Sequence, residues 1–169
     1  LVGRNRLQAP GQVAELLRHD GYKTRLITAR VFNGTDHGSE FDHAAIIVTI
    51  GEDEYLADVG FGGLTQTAPL RLVEHTPQAT PHEPFRVMRI SGDYAVQAEV
   101  RGEWRTLYRF DLQEQVLADY EMTSWYLSNH PDSHFVQRLL AARTEPGRRY
   151  ALLDNELAVH RLAEERVPG

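Results

Sequence analysis

His43 and Asp58 are the two residues of this 169-residue chain whose types and placement can move a proton together. An imidazole accepts and returns a proton near neutral pH. A carboxylate bonded to one ring nitrogen fixes the tautomer and stabilises the imidazolium once the other nitrogen is protonated. Together they form the orienter and base of a nucleophilic triad. His43 opens an apolar run and Asp58 closes the next one, with turn residues between them. If residues 51–52 or 52–53 make a two-residue turn, facing positions sum to an odd number. His43 then shares a sheet face with Asp58, Gly60 and Gly62. With the 51–52 turn His43 faces Gly60, and Asp58 is its diagonal neighbour, with Cβ atoms roughly 7–8 Å apart or less. The other turn widens the gap by one step. Taken alone, such a pair is more simply read as a structural contact at a strand end.

Other chemistry finds less support. The chain has no cysteine, so it offers no thiol nucleophile, disulfide or zinc–thiolate site of its own. Its eight histidines show no metal-binding spacing, and His130 and His134 lack a third ligand, so no metal is expected. The net charge of −6 argues against a nucleic-acid or anionic-membrane partner, since both need a basic face. No apolar run reaches the eighteen or so residues of a membrane helix, and the first ten residues do not read as a signal peptide. A cytoplasmic protein is expected. The first residue is Leu1, from which the chain is expected to start inside a longer product or after processing.

The elements that must hold the pair follow from periodicity. Val13, Leu16 and Leu17 give one helical face over residues 11–20, with Pro10 at its start and Gly21 at its stop. Residues 22–32 alternate as a strand, and residues 33–40 carry loop composition. Residues 42–50 form a strand apolar on both faces, and 54–59 the next strand. Short strands are predicted at 85–90, 94–100 and 104–110, separated by Gly-containing turns, with a Pro-rich connection at 76–84. Residues 116–128 read as a helix with Val116, Tyr120, Met122 and Trp125 as its apolar positions. A short extended or helical piece at 135–142 follows. A hairpin is predicted to pair 149–153 with 157–162 through Asp154 and Asn155.

In these segments the chain resembles the arylamine N-acetyltransferases. The resemblance lies in His43 followed by Ala-Ala-Ile-Ile-Val at 44–48, and in Tyr-Leu-Ala-Asp-Val-Gly-Phe-Gly-Gly at 55–63. The runs at 119–135 and 152–161, and the helix and strand over 16–31, match in order and spacing. Similarity extends from about residue 11 to residue 162. It implies an α+β fold of the cysteine-protease-like superfamily, in three parts. These are a remnant of the N-terminal helical domain at 1–22, an antiparallel β-barrel-like middle at 23–113, and part of a mixed α/β lid at 114–169.

The resemblance also implies acetyl transfer in two steps. A cysteine thiolate takes acetyl from acetyl-CoA, a co-substrate rather than a bound cofactor, and passes it to an arylamine, hydrazine or hydroxylamine. His43 would be the base and Asp58 its orienter. Phe61 and Gly62 would line the acyl pocket, and Ser128 and His130 would lie near the coenzyme. For Phe61 a core aromatic is an equal alternative; for Ser128 and His130 helix capping and a turn are the simpler reading.

One departure is severe. The family's nucleophile lies in an Arg-Gly-Gly-x-Cys-x-Glu-x-Asn pattern. Here Gly3 matches, but Arg6 stands at the cysteine, Gln8 at the Glu and Pro10 at the Asn. A guanidinium stays protonated and cannot attack a carbonyl. The mismatch ends abruptly near residue 10, which leads to the expectation of a junction there, such as an altered frame, and of a lid that continues past Gly169. Two further readings stay open: a non-catalytic domain that binds CoA or a partner, and an amide-synthase-type acyltransferase. An incomplete fold is also expected to expose an apolar barrel face.

Overall fold

The computed structural model describes residues 8–32 and 41–162. The loop expected at 33–40 and the stretch 1–7, with Gly3 and Arg6, lie outside the described residues.

Helix α1 spans Gln8–His19. Pro10 falls in its first turn, where backbone N–H groups have no intrahelical partner to lose. Gly21, at φ 89°, ends it. The Gly21 amide bonds the Arg18 carbonyl at 3.0 Å and the Tyr22 amide bonds that of Leu17 at 2.9 Å. Those two bonds satisfy carbonyls that the helix end would orphan, in a left-handed conformation that favours glycine.

Strands β1 (Lys23–Val31), β2 (Phe41–Ile50), β3 (Asp53–Ala57), β4 (Leu70–Arg71), β5 (Phe85–Ile90), β6 (Asp93–Val100) and β7 (Glu103–Phe110) form one sheet. Its order is β4-β3-β2-β1-β7-β6-β5, with antiparallel pairing throughout. Bridges from Glu74 to Val87 and from Gln78 to Phe85 bring the chain after β4 onto the β5 edge. They almost close the sheet into a barrel, which is how an antiparallel sheet removes its open edges. The two-residue strand β4 escapes periodicity because it is too short to show any.

The faces of β1 and β2 feed two cores. Ile27, Ala29, Ala45 and Ile47 point into the barrel with Leu56, Phe85, Val96, Tyr108 and Phe110. Leu26, Ala44, Ile46 and Val48 point outward and are buried under Ala14 of α1, Tyr120 and Leu127. Two-sided burial is why residues 44–48 carry no polar alternation.

The segment expected as one helix over 116–128 is instead a 3-10 turn, Leu117–Tyr120, followed by α2, Glu121–Asn129. Tyr120 and Leu127 are buried, whereas Val116, Met122 and Trp125 are exposed. The four apolar positions do not fall on one helical stripe, so only part of them can face the barrel. A short helix, α3 (His134–Gln137), leads into a second sheet of β8 (Leu140–Glu145), β9 (Arg148–Leu153) and β10 (Glu156–Arg161). Its order is β10-β9-β8, and Leu153 pairs with Glu156 across the expected Asp154–Asn155 turn.

The apolar surface is not where it was expected. The outward face of β2 is covered by α1 and α2. Large apolar side chains are exposed on the outer side of α2 and along β10, at Leu157 and Val159, and also at Leu16 of α1 and at Val59 and Leu139.

Candidate active site

β2 and β3 pair as Ile50↔Asp53 through Ile46↔Ala57, so Gly51 and Glu52 make the turn. This is the register that sets Asp58 diagonally from His43. Both side chains point into one end of the barrel. His43 Nε2 lies 2.8 Å from Asp58 Oδ2, and the two side chains are 3% and 1% exposed.

Local irregularities aim them. β1 pairs Ala29 with His43 but Arg30 with Phe41, so Asp42 is an extra residue in β2. β7 carries a second irregularity: Val96 pairs with Tyr108 and Gln97 with Thr106. Consecutive Leu107 and Tyr108 are therefore both buried in the barrel, which regular alternation would forbid. Bulges redirect side chains in this way and often lie beside active sites.

The two bulges bring His43 and Tyr108 together, with ring centroids 5.0 Å apart and the ring planes tilted by 59°. Phe61 completes the cluster at 5.3 Å from each ring, edge-on to His43. Each such aromatic contact contributes about 0.5–1.5 kcal/mol beyond burial. The Tyr108 ring was not singled out from sequence. Its only signal was the apolar pair Leu107–Tyr108 interrupting an alternating strand.

Electrostatics fix the state of the pair. Burial raises the pKa of Asp58, but the charge and hydrogen bond of His43 and the Gly60 amide, which donates to Oδ1 at 2.9 Å, outweigh it. The carboxyl is thus held below its ordinary 3.8 and is ionised at neutral pH. An ionised carboxylate only accepts hydrogen bonds, so Nε2 of His43 carries the proton. In the neutral ring Nδ1 is then the basic nitrogen. Burial, with the Asp58 charge beside it, pushes the Tyr108 hydroxyl well above its usual pKa. That hydroxyl feels Asp58 electrostatically without making a hydrogen bond of ordinary geometry.

The chain after Asp58 folds back as a tight loop. Thr65 Oγ1 accepts from the Gly62 amide at 2.6 Å and donates to the Gly62 carbonyl at 2.9 Å. Gly62 has φ 102°, which side chains rarely adopt. Gly62 lines a cleft of about 840 Å³ between this loop and the second sheet, with Gly60, Gly63, Ala142, Arg143 and Leu152 among its walls. Phe61 instead packs inward, against His43 and Tyr108.

Ser128 and His130 are not brought to this cluster. Both sit at the end of α2, on the outer side of β2, and neither lines the cleft. His130 stacks on Tyr126 at 4.5 Å, and its Nδ1 accepts from the Asp132 amide at 3.2 Å. Those are the contacts of a helix end and turn.

The N-acetyltransferase family model matches residues 8–167. The chain belongs to the arylamine N-acetyltransferase family. It is 45% identical over 117 residues to the arylamine N-acetyltransferase of Mycolicibacterium smegmatis, covering 69% of this chain and 42% of that one. It is 36% identical to the Escherichia coli enzyme over 80% of this chain and 49% of the relative. The Mycobacterium tuberculosis structure superposes with a TM-score of 0.85 at 39% identity, over 89% of this chain and 58% of that one. Mycobacterium marinum arylamine N-acetyltransferase, solved in complex with CoA, gives 0.84 at 37% identity over 90% and 58%. The chain thus spans about half the length of the curated relatives it matches. The α+β barrel fold is that of this family. No described helix is long and apolar enough to cross a membrane.

Proposed function

We propose that this chain carries the base and orienter of acetyl transfer from acetyl-CoA to an arylamine or hydrazine, in the cytoplasm. The observation that carries this reading is the buried 2.8 Å contact from His43 Nε2 to Asp58 Oδ2 beneath Phe61. In the proposed reaction a thiol presented to Nδ1 gives its proton to His43. The thiolate attacks the acetyl carbonyl, and CoA leaves as its thiol with the proton that His43 returns. The amine then attacks the thioester, its proton passes through His43, and the thiolate is released. Asp58 holds the ring in the reactive tautomer throughout. Phe61 and Gly62 shape the acyl side of the site. By the resemblance, Ser128 and His130 lie near the coenzyme. The division into a helical remnant at 1–22, a barrel at 23–113 and a partial lid at 114–169 belongs to the same proposal.

No cysteine occurs in the 169 residues, so no acetyl-enzyme can form on a thiol of this chain. The test is a graft. Residues 11–162 replace the matching segment of the Mycolicibacterium smegmatis relative, and arylamine acetylation is measured. The graft is expected to turn over and to lose activity on His43→Gln. A graft that keeps its activity after His43→Gln would remove His43 from the chemistry. The missing thiol favours a second reading, a domain that binds CoA without catalysis. Calorimetry of the chain with CoA distinguishes that domain from one that binds nothing.

A further inference from the structure

We propose that Arg149 is a positioning residue, which holds the loop over residues 60–65 against His43 and Asp58 from the second sheet. Arg149 lies on β9, yet its side chain is 2% exposed because it reaches into the barrel-side loops. Its Nε donates to Glu83 at 3.1 and 2.8 Å. Its Nη1 donates to the carbonyls of Gly63 at 3.2 Å and Thr65 at 3.0 Å. Nη2 lies 2.8 Å from Glu83 Oε2, off the line of a hydrogen bond. One planar fork thus joins a carboxylate before β5 to two carbonyls of the loop. A lysine carries its donors on one compact ammonium and lacks this planar spread, so it holds the three partners less well.

The loop passes this restraint to the pair. Thr65 is tied to Gly62 through three hydrogen bonds, from the Gly62 amide, the Thr65 hydroxyl and the Thr65 amide. Phe61 precedes Gly62 and packs on the His43 ring. Gly60 donates to the Asp58 oxygen that does not meet His43. Fixing the Gly63 and Thr65 carbonyls therefore fixes the ring above His43 and the amide that orients Asp58. His82, one residue before Glu83, adds a second tie to the same sheet, with Nε2 2.9 Å from the Glu145 carbonyl. The second sheet is in this way a brace for the site, besides being a wall of the cleft. The bracing stands on geometry alone; its importance for acyl transfer rests on the function proposed above.

Removing Arg149 alone leaves the half-buried Glu83 carboxylate without its cation and risks unfolding, so the informative variant is R149M/E83M. Amide hydrogen exchange in the full chain, read by NMR, is the first measurement. The Gly60, Gly62 and Thr65 amides are expected to exchange at least about tenfold faster, with β6 and β7 amides unchanged. The His43 Nε2–H proton is expected to exchange faster with them. R149K is expected to fall between the two while the strands stay protected. Unchanged loop amides, a uniform rise across loop and strands, or an R149K that matches the parent would each overturn the proposal. In the graft described above, R149M/E83M is expected to lower kcat by about ten- to a hundredfold, as a misplaced catalytic group does. An inactive parent graft would count against the acyl-transfer function and leave the exchange result to judge the brace. An active graft whose kcat ignores R149M/E83M would overturn the positioning role.

Discussion

At the scale of single residues, the state of His43 is set by its neighbour. Asp58 is buried, and burial by itself would favour the neutral acid. His43 and the Gly60 amide reverse that preference, so the carboxylate forces the ring proton onto Nε2. In the graft, Asp58→Asn is expected to lower acetyl transfer by about 10⁴-fold, because an amide no longer selects the tautomer. His43→Gln should cost at least as much. Steady-state assays at saturating acetyl-CoA check both. Asp58 also gives the fold a pH dependence. Its pKa is depressed in the folded state, so its stabilisation is complete above the ordinary 3.8 and is lost as pH falls through the folded value. Urea melts should show a gap between the parent chain and Asp58→Asn that closes as the pH falls below about 4. A gap that widens on acidification would contradict this sign.

At the scale of elements, two contacts carry the site. The first is the loop after β3. Gly62 holds φ 102°, and Gly62→Ala is expected to cost about 1–3 kcal/mol in urea melts, from backbone strain alone. The second is the seam between β9 and the barrel. Arg149→Met is expected to destabilise by about 1–3 kcal/mol, since it leaves a half-buried carboxylate without its cation, and Glu83→Met on top should recover much of that. Matched thermal and urea melts of the single and double variants check it. The strands themselves were readable because period-two alternation and Gly-containing turns are local signals. The register of β2 on β3 was readable up to a choice of two turns. The bulges at Asp42 and Leu107 were not, because an extra residue in a strand leaves no composition signal. The Tyr108 ring was missed with them. Arg149 was missed because its partners lie 66 and more residues away, and a single arginine in an exposed-looking hairpin gives no hint of burial.

Across the whole molecule, apolar surface is exposed beside the cleft, at Val59 and Leu139, and also away from it, on α2. Met122 is 84% exposed and Trp125 61%, one turn apart on α2 and so on the same side of it. The chain is expected to bind a hydrophobic dye through this patch. The variant M122K/W125K should lose most of that fluorescence while changing stability by no more than about 0.5 kcal/mol, as surface substitutions usually do. Dye binding that survives the variant would place the responsible surface elsewhere, with β10 the next candidate. Incubated with acetyl-CoA, the chain itself should show no added 42 Da by mass spectrometry on any thiol, for it has none.

The amino-acid sequence by itself determined the family, the barrel strands other than β4 and the His43–Asp58 pair, and it determined that these 169 residues hold no thiol. These are properties of residue type, order and short-range period. Only the tertiary structure decided which turn joins β2 to β3, that Tyr108 and Phe61 enclose the imidazole, and that Ser128 and His130 end a helix on the other face of β2. It alone decided that Arg149 crosses from one sheet to the loop of the other. Those outcomes depend on bulges and on contacts between distant segments, whose energies come from burial and partnership rather than from any local pattern.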